Sequence, residues 1–377
     1  MSSEALGVQQ PTSRYANVDV LRGVAALAVL VYHVIELGHW NAFPMQGPLV
    51  AFRLGWVGVD LFFVISGFVI ALGAIRLHRA HPDEFARTFW SRRLARIVPL
   101  HLLTMAVWIA WVDPAFFGGR IVSSALQLGA HVAFVHNLRP ETFSSINGIN
   151  WTLAVEMQFY LAVALLVRWI DRTPGVLVFL ACILVAWAWR GAMVLMHGHD
   201  DTWHLFMAVS QLPGQLDEFG AGILLAKLVL GDRTGRARAP LGWALGACVF
   251  GYAAFRLYWP HATYWDVPPM IVFWRSALAL FLLCLVAAAV TLPQVAGRRW
   301  LRPFAYLGEI SYGIYLWQLV AIAIAVAWAG AHPVWVLVLT LALTIAASAL
   351  SWRTIERPIV QWARTPVLGV RTGHIAR

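Results

Sequence analysis

"VDVLRGVAALAVLVYHVIEL", residues 18–37, is long and apolar enough to cross a bilayer, yet it carries Asp19 and Arg22 near its start and His33 deep inside. About 20 apolar residues in a helix span the hydrocarbon core. Ionisable groups within such a span are costly and tend to be kept where they do work. This one stretch therefore poses both questions the chain raises: how the membrane is threaded, and what the polar groups inside it are for.

The rest of the sequence repeats the pattern. Of 377 residues, 60% are hydrophobic and 12% charged, with a mean hydropathy of +0.70. Soluble domains carry about 25% charged residues. Apolar runs recur along the whole length and leave no extended soluble block. The expected fold class is all-α, a polytopic membrane helical bundle of ten spans near 18–38, 56–76, 98–113, 149–168, 175–195, 207–229, 240–258, 270–292, 306–328 and 334–353. Residues 1–17 are read as a polar N-terminal segment, 18–353 as the membrane domain and 354–377 as a tail. The first apolar run exceeds a signal-peptide core of about 7–15 residues, so it is expected to remain in the mature protein.

Arginine placement orients the bundle. With ten spans, 22 of the 28 basic residues fall on the side that carries both termini, which the positive-inside rule makes cytoplasmic. A crossing by the more polar segment 121–136 would reverse every later loop. That segment is therefore read as re-entrant or interfacial. The same placement explains the net charge of +10 without nucleic acid. Cys182, Cys248 and Cys284 each lie in an apolar run with no CxxC pair, which argues against a disulfide or a thiolate metal site. The loop "HGHDDTWH", residues 197–204, lacks further ligand spacing and reads as an exposed polar loop, so no metal is expected.

Several polar groups remain inside the spans. His33 follows Arg22 by 11 residues, and at about 100° per residue the two share a helix face. Asp60 and Glu156, in the second and fourth spans, fall at a depth similar to His33, so the three are expected in one layer, with Ser66 near them. Asp217 and Glu218, between Pro213, Gly214 and Gly220, suggest an irregular helix lining a cavity. Gly58, Gly67 and Gly73 suit close helix packing. Tyr312, Tyr315 and Gln318 in "SYGIYLWQ" point polar groups inward. In "FWSRRLARIVPL", Arg92 and Arg96 are expected to share a face with Arg93 beside them, and guanidinium forks suit phosphate oxygens.

In this order, "DVLRGVAALAVLVYH", "GWVGVDLFFVISGFVI", "FWSRRLARIVP", "NWTLAVEMQFYL", "EISYGIYLWQ" and "IERPI" resemble acyltransferase family 3 over residues 17 to about 360. The resemblance implies a ten-helix enzyme of the bacterial inner membrane. It implies transfer of an acyl group, commonly acetyl, from cytoplasmic acyl-CoA to a hydroxyl of a carbohydrate or glycan-containing acceptor. It implies catalysis by His33, with Arg22 an essential partner and Glu156 a site carboxylate, and CoA phosphates held by Arg92, Arg93 and Arg96. Asp60 is the other carboxylate placed to orient His33, and Ser66, Tyr312, Tyr315 and Gln318 are expected to contact substrate. The sequence departs from the pattern where Gln318 stands at a position often occupied by His. It also shows no C-terminal hydrolase-like domain. A proton-coupled transporter is the competing reading, since buried His, Asp, Glu and Arg in a ten-span bundle describe that class too. Self-association of copies is allowed by the sequence and not dictated by it.

Overall fold

The computed structural model describes residues 15–364 apart from 39, 119–120, 199–200, 233–238, 262–263, 295–300 and 331. The N-terminal segment up to residue 14, the tail beyond 364 and the loop arginines 120, 233, 236, 238, 298 and 299 lie outside the described residues. No strand occurs among those described. Inside lipid the backbone has no water to bond, and a helix satisfies its own N–H and C=O groups.

Nine helical segments are long and apolar enough to cross a membrane. They contain α1 (Ala16–Leu37), α2 (Val57–Ala80), α3 (Phe85–Val107), α6 (Trp151–Arg172), α7 (Gly175–His197), α10 (Pro240–Tyr258), α11 (Arg275–Thr291), α13 (Ser311–Ala329) and α14 (Pro333–Ser351). Pro240 and Pro333 open their helices, where a missing N–H costs nothing. Gly198 and Gly330 end α7 and α13 at φ of 67° and 57°, a left-handed turn that glycine makes without strain.

The sixth expected span, 207–229, is not one helix. It is split into α8 (Thr202–Val209), a 3-10 turn at Leu212–Gln215, and α9 (Leu216–Gly231). Pro213 removes a donor, and a Cβ at Gly214 would run into the Val209 backbone. The irregularity expected from the Pro and Gly residues is thus a complete break. It delivers Gln215, Asp217 and Glu218 into the bundle, all with no exposed surface.

Three boundaries also differ from the sequence reading. α3 begins at Phe85 rather than near 98, so the arginine cluster rides on the helix itself. The ninth span starts at Ser311, because α12 (Arg302–Glu309) lies across α1 where Gly308 meets the Asp19 backbone. The last helix runs past 353 through a π-turn, Trp352–Glu356, into α15 (Arg357–Arg364). The α-helix within segment 121–136 is α4 (Ile121–Val132), of 12 residues. At 1.5 Å per residue it reaches about 18 Å, too short for the roughly 30 Å core. Its exposed Ile121, Val122 and Leu126 suit an interfacial position.

Close packing in the interior follows the glycines. Gly67 and Gly222 bring α2 and α9 backbone to backbone, and Gly58 fits against Ala25 and Val29 of α1. Gly73 does not take part; its nearest neighbour is the Arg93 side chain, at 3.6 Å from the position a Cβ would occupy. Large apolar residues such as Leu165 and Leu195 are instead exposed, at 73% and 88%, as a lipid-facing surface requires.

One cap at the end of α3 carries a pH dependence. His131 and His136, the latter in the 3-10 turn His136–Leu138, stack at a ring distance of 3.9 Å with no exposed surface, and His101 of α3 stacks beyond. The short α5 (Pro140–Phe143) follows and ties back through the Thr142 hydroxyl, which donates to the His136 carbonyl at 2.7 Å. Burial pushes the His136 imidazole down to about 3, with His131 adding to the effect, and burial lowers His131 as well. An unfolded imidazole titrates near 6.5, so both rings are neutral when folded. Their contribution is complete above that pH and is lost as the pH falls below it; for His136 the loss runs from 6.5 toward 3 and reaches about 2 kcal/mol by pH 5. The denaturation midpoint of detergent-purified protein is therefore expected to be lower at pH 5 than at pH 7.5, with His136→Gln removing part of the difference. Equal midpoints would contradict this.

Candidate active site

A cavity of about 150 Å³ lies between α1, α2, α3, α6 and α13. Its polar wall includes Arg22, Ser66, Arg93, Arg96, Glu156 and Tyr160, with Ser311, Tyr312 and Tyr315 from α13. Each helix delivers these residues for a local reason. On α3, Arg93 and Arg96 are one turn apart and face inward, while Arg92 is exposed and does not line the cavity. The expected Arg92/Arg96 pair is thus replaced by Arg93/Arg96, because the inward face of α3 is set by Phe89, Ile97 and Leu100, all buried.

The arginines are held rather than loose. The Arg96 guanidinium donates to Glu356 Oε2 at 3.2 Å and lies over the rings of Tyr312 and Trp352. Arg93 lies over Phe89 and Tyr160 at 5.6 and 5.7 Å. Arg22 reaches Asp19 only at 4.0 Å. Among the described residues Glu156 is the one carboxylate in the cavity wall, with Glu356 and Asp19 paired to Arg96 and Arg22 behind it, so the guanidinium forks, rather than a net positive charge, suit this end to an anion. Glu156 Oε1 accepts from the Ser66 hydroxyl and the Tyr160 hydroxyl, both at 2.7 Å.

The expected layer of three titratable groups does not assemble. His33 donates to or accepts from no carboxylate; its Nδ1 lies 3.3 Å from Gln318 Oε1. Gln318 Nε2 in turn donates to the Tyr315 carbonyl at 2.9 Å. His33 is not itself in the cavity wall. Tyr315 joins the two, since its side chain lines the cavity and its carbonyl holds Gln318. Gln318, expected at the substrate, is the partner of His33.

Asp60 is a correction of a different kind. It faces away from His33 and pairs with the Arg275 guanidinium at 2.7 Å. The same guanidinium donates to Gln215 Oε1 at 2.8 Å and Glu218 Oε1 at 3.3 Å. Beside it Arg190 pairs with Asp217 at 2.5 Å, and Ser276 donates to the same carboxylate. Six residues separate Asp60 from Ser66, about 240° of helix rotation, so one residue faces this network and the other faces Glu156. Asp217 and Glu218, read as cavity-lining, also belong to the network. It ties the broken α8–α9 segment to α2, α7 and α11.

The substrate contacts expected of Ser66, Tyr312 and Tyr315 are qualified as well. All three line the cavity, but their hydroxyls are engaged. Ser66 donates to Glu156, Tyr312 to the Ile97 carbonyl at 2.7 Å, and Tyr315 to the Ile149 carbonyl at 3.2 Å. They brace the wall and present ring and methylene surface. Ser311, unremarked in the sequence, has a buried hydroxyl with no hydrogen-bond partner among the described residues and does line the cavity. Among the described residues no group of three or more His, Cys, Asp or Glu is arranged to hold a metal ion.

A family model described as an acyltransferase domain matches residues 15–353. The acyltransferase MdmB of Streptomyces mycarofaciens is 27% identical over 82% of this chain and 79% of its own length. Nodulation protein 10 of Rhizobium leguminosarum bv. viciae is 27% identical over 96% of this chain and 95% of its own. The peptidoglycan O-acetyltransferase OatA of Listeria monocytogenes is 26% identical over 40% of this chain and 24% of its own. No solved structure matches.

Proposed function

The chain belongs to this acyltransferase family, and we propose from that premise that it moves an acyl group, most simply acetyl, from cytoplasmic acyl-CoA to a hydroxyl of a glycan-type acceptor on the other face of the membrane. Membership in an enzyme family removes the ground for the transporter alternative. The observation that carries the proposal is the cavity itself, lined by arginines at the α3 end, with His33 behind its Tyr315 wall and bonded to it by way of Gln318. The arginine-lined end is assigned to the cytoplasm because the arginine-rich loops share its side.

Arg22, Arg93 and Arg96 receive the phosphates of CoA in this reading. Their forks supply charge-assisted hydrogen bonds, and the aromatic rings under Arg93 and Arg96 hold the guanidinium planes in place. The pantetheine arm runs between the helices and brings the thioester toward His33. His33 takes the proton of the acceptor hydroxyl as its oxygen attacks the thioester carbonyl carbon. The C–O bond forms, the C–S bond breaks, and the proton passes from the imidazole to the leaving thiolate, giving ester and free CoA thiol. Glu156, held by Ser66 and Tyr160, is a wall carboxylate that shapes the cavity and balances its arginines; it makes no contact with His33.

The cofactor part is tested by Arg93→Gln with Arg96→Gln, against Arg92→Gln as the exposed control. A hydrogen bond to a charged group contributes about 1.5–3 kcal/mol, so the double variant is expected to bind acetyl-CoA at least tenfold more weakly, while Arg92→Gln changes affinity less than threefold. Equal loss at Arg92, or no loss in the double variant of a monodisperse protein, would reduce the cluster to a topology signal.

A further inference from the structure

A histidine acts as a base only through a nitrogen that carries a lone pair, and neutral imidazole has one such nitrogen and one N–H. Which nitrogen is which depends on the hydrogen bond made by the other. For His33 the side-chain partner is Gln318, whose Oε1 lies 3.3 Å from Nδ1, and the Val29 carbonyl one turn back on α1 is a second, backbone acceptor at the ring. An amide can be turned about its last bond, exchanging oxygen for nitrogen, so its orientation has to follow from its other partner.

That partner is unambiguous. Gln318 Nε2 lies 2.9 Å from the Tyr315 carbonyl, a backbone oxygen that only accepts. Reversing the amide would set two oxygens against each other with no proton between them. Gln318 has no exposed surface, so no bulk water repairs that loss. An unsatisfied buried polar group costs about 1–3 kcal/mol, enough to fix the amide one way. With Oε1 facing the imidazole, Nδ1 must carry the proton.

We propose that Gln318 is the positioning residue of His33: it holds the imidazole in the Nδ1–H tautomer and so leaves Nε2 as the lone-pair nitrogen that takes the acceptor proton. The inference rests on the reading of His33 as the base. A carboxylate beside Nδ1 would orient the ring equally well but would add a buried charge, which is costly without further pairing. The amide orients the ring without one. Tyr315 links the device to the cavity, because the residue whose side chain lines the wall also supplies the carbonyl that sets the amide.

The test is nitrogen NMR of the full-length protein, labelled with 15N-histidine, in nanodiscs at pH 8. The His33 signals are identified by their loss in His33→Gln. Wild type is expected to show a protonated Nδ1 and an unprotonated Nε2. Gln318→Leu is expected to lose that signature and to lower acyl transfer at least tenfold with acetyl-CoA affinity unchanged. Gln318→Glu retains an acceptor oxygen and is expected to restore the Nδ1–H signature. A wild-type spectrum with the proton on Nε2 would overturn the proposal without any variant. So would an unchanged tautomer in Gln318→Leu. A wild-type Nδ1–H signature in a protein whose transfer survives His33→Ala would keep the tautomer assignment and remove His33 as the base, so the two claims fail separately.

Discussion

His33→Ala is expected to lower acyl transfer about 10²- to 10⁴-fold, the usual contribution of a positioned general base. Acetyl-CoA affinity is expected to stay within twofold of wild type. The separation of the two effects follows from the geometry. The arginines that line the cavity lie near the start of α1 and on α3, and His33 lies eleven residues further along α1 against α13. His33 makes no ion pair; its removal breaks the 3.3 Å contact with Gln318, a backbone contact with Val29 and a ring contact with Tyr32 at 5.2 Å, none of which joins charged groups. The fold should therefore survive the substitution. Radiolabelled transfer and equilibrium binding on the same detergent-purified sample check both halves. Transfer that persists undiminished would remove His33 from the chemistry; affinity that collapses with it would place His33 in donor binding instead.

The second large effect concerns stability. Arg275→Leu would leave Asp60 and Glu218 buried without their shared guanidinium, and Gln215 without its donor. Breaking a buried ion pair by removing one partner costs about 3–5 kcal/mol, because the remaining charge stays uncompensated. The loss should appear as a lower denaturation midpoint or as failure to accumulate in the membrane. Asp60→Asn keeps the shape and a hydrogen-bonding oxygen. It is expected to leave the transfer activity of the folded protein within a few fold of wild type. A loss as deep as that of His33→Ala in well-folded Asp60→Asn would return Asp60 to the catalytic role that its sequence position suggested.

Asp60 also shows where reading from sequence stops. Helical arithmetic gives depth and face within one span, and it sets Arg22 and His33 on one face of α1; in the structure Arg22 lines the cavity while His33 lies against Gln318 outside its wall. It does not give the rotation of one helix against another. Asp60, Glu156 and His33 share a depth by counting, yet α2 turns Asp60 toward α11 and Ser66 toward α6. Part of that network was legible. Arg190 and Arg275 sit in apolar runs and need carboxylates, and Asp217 and Glu218 are adjacent, about 100° apart on a helix, so each serves a different arginine. Loop counting of basic residues says nothing of this pairing, because Arg190 and Arg275 lie within helices. The Gln318 contact left no such signal. A glutamine in an apolar helix names no partner until two helices are docked, and only the Tyr315 carbonyl fixes which way its amide points. The spans themselves were almost wholly legible, because length and apolarity are local. The break at Leu212–Gln215 was announced by Pro213 and Gly214, although its full extent depends on the contact of α9 with α2.

The most direct test of transfer across the bundle separates donor from acceptor by a membrane. Sealed proteoliposomes would receive radiolabelled acetyl-CoA outside only, with chito- and cello-oligosaccharides trapped inside only. Labelled ester is expected to accumulate inside while free CoA thiol appears outside in equal amount, with both lost in His33→Ala. Ester that forms only when acetyl-CoA and oligosaccharide share one compartment would contradict the account.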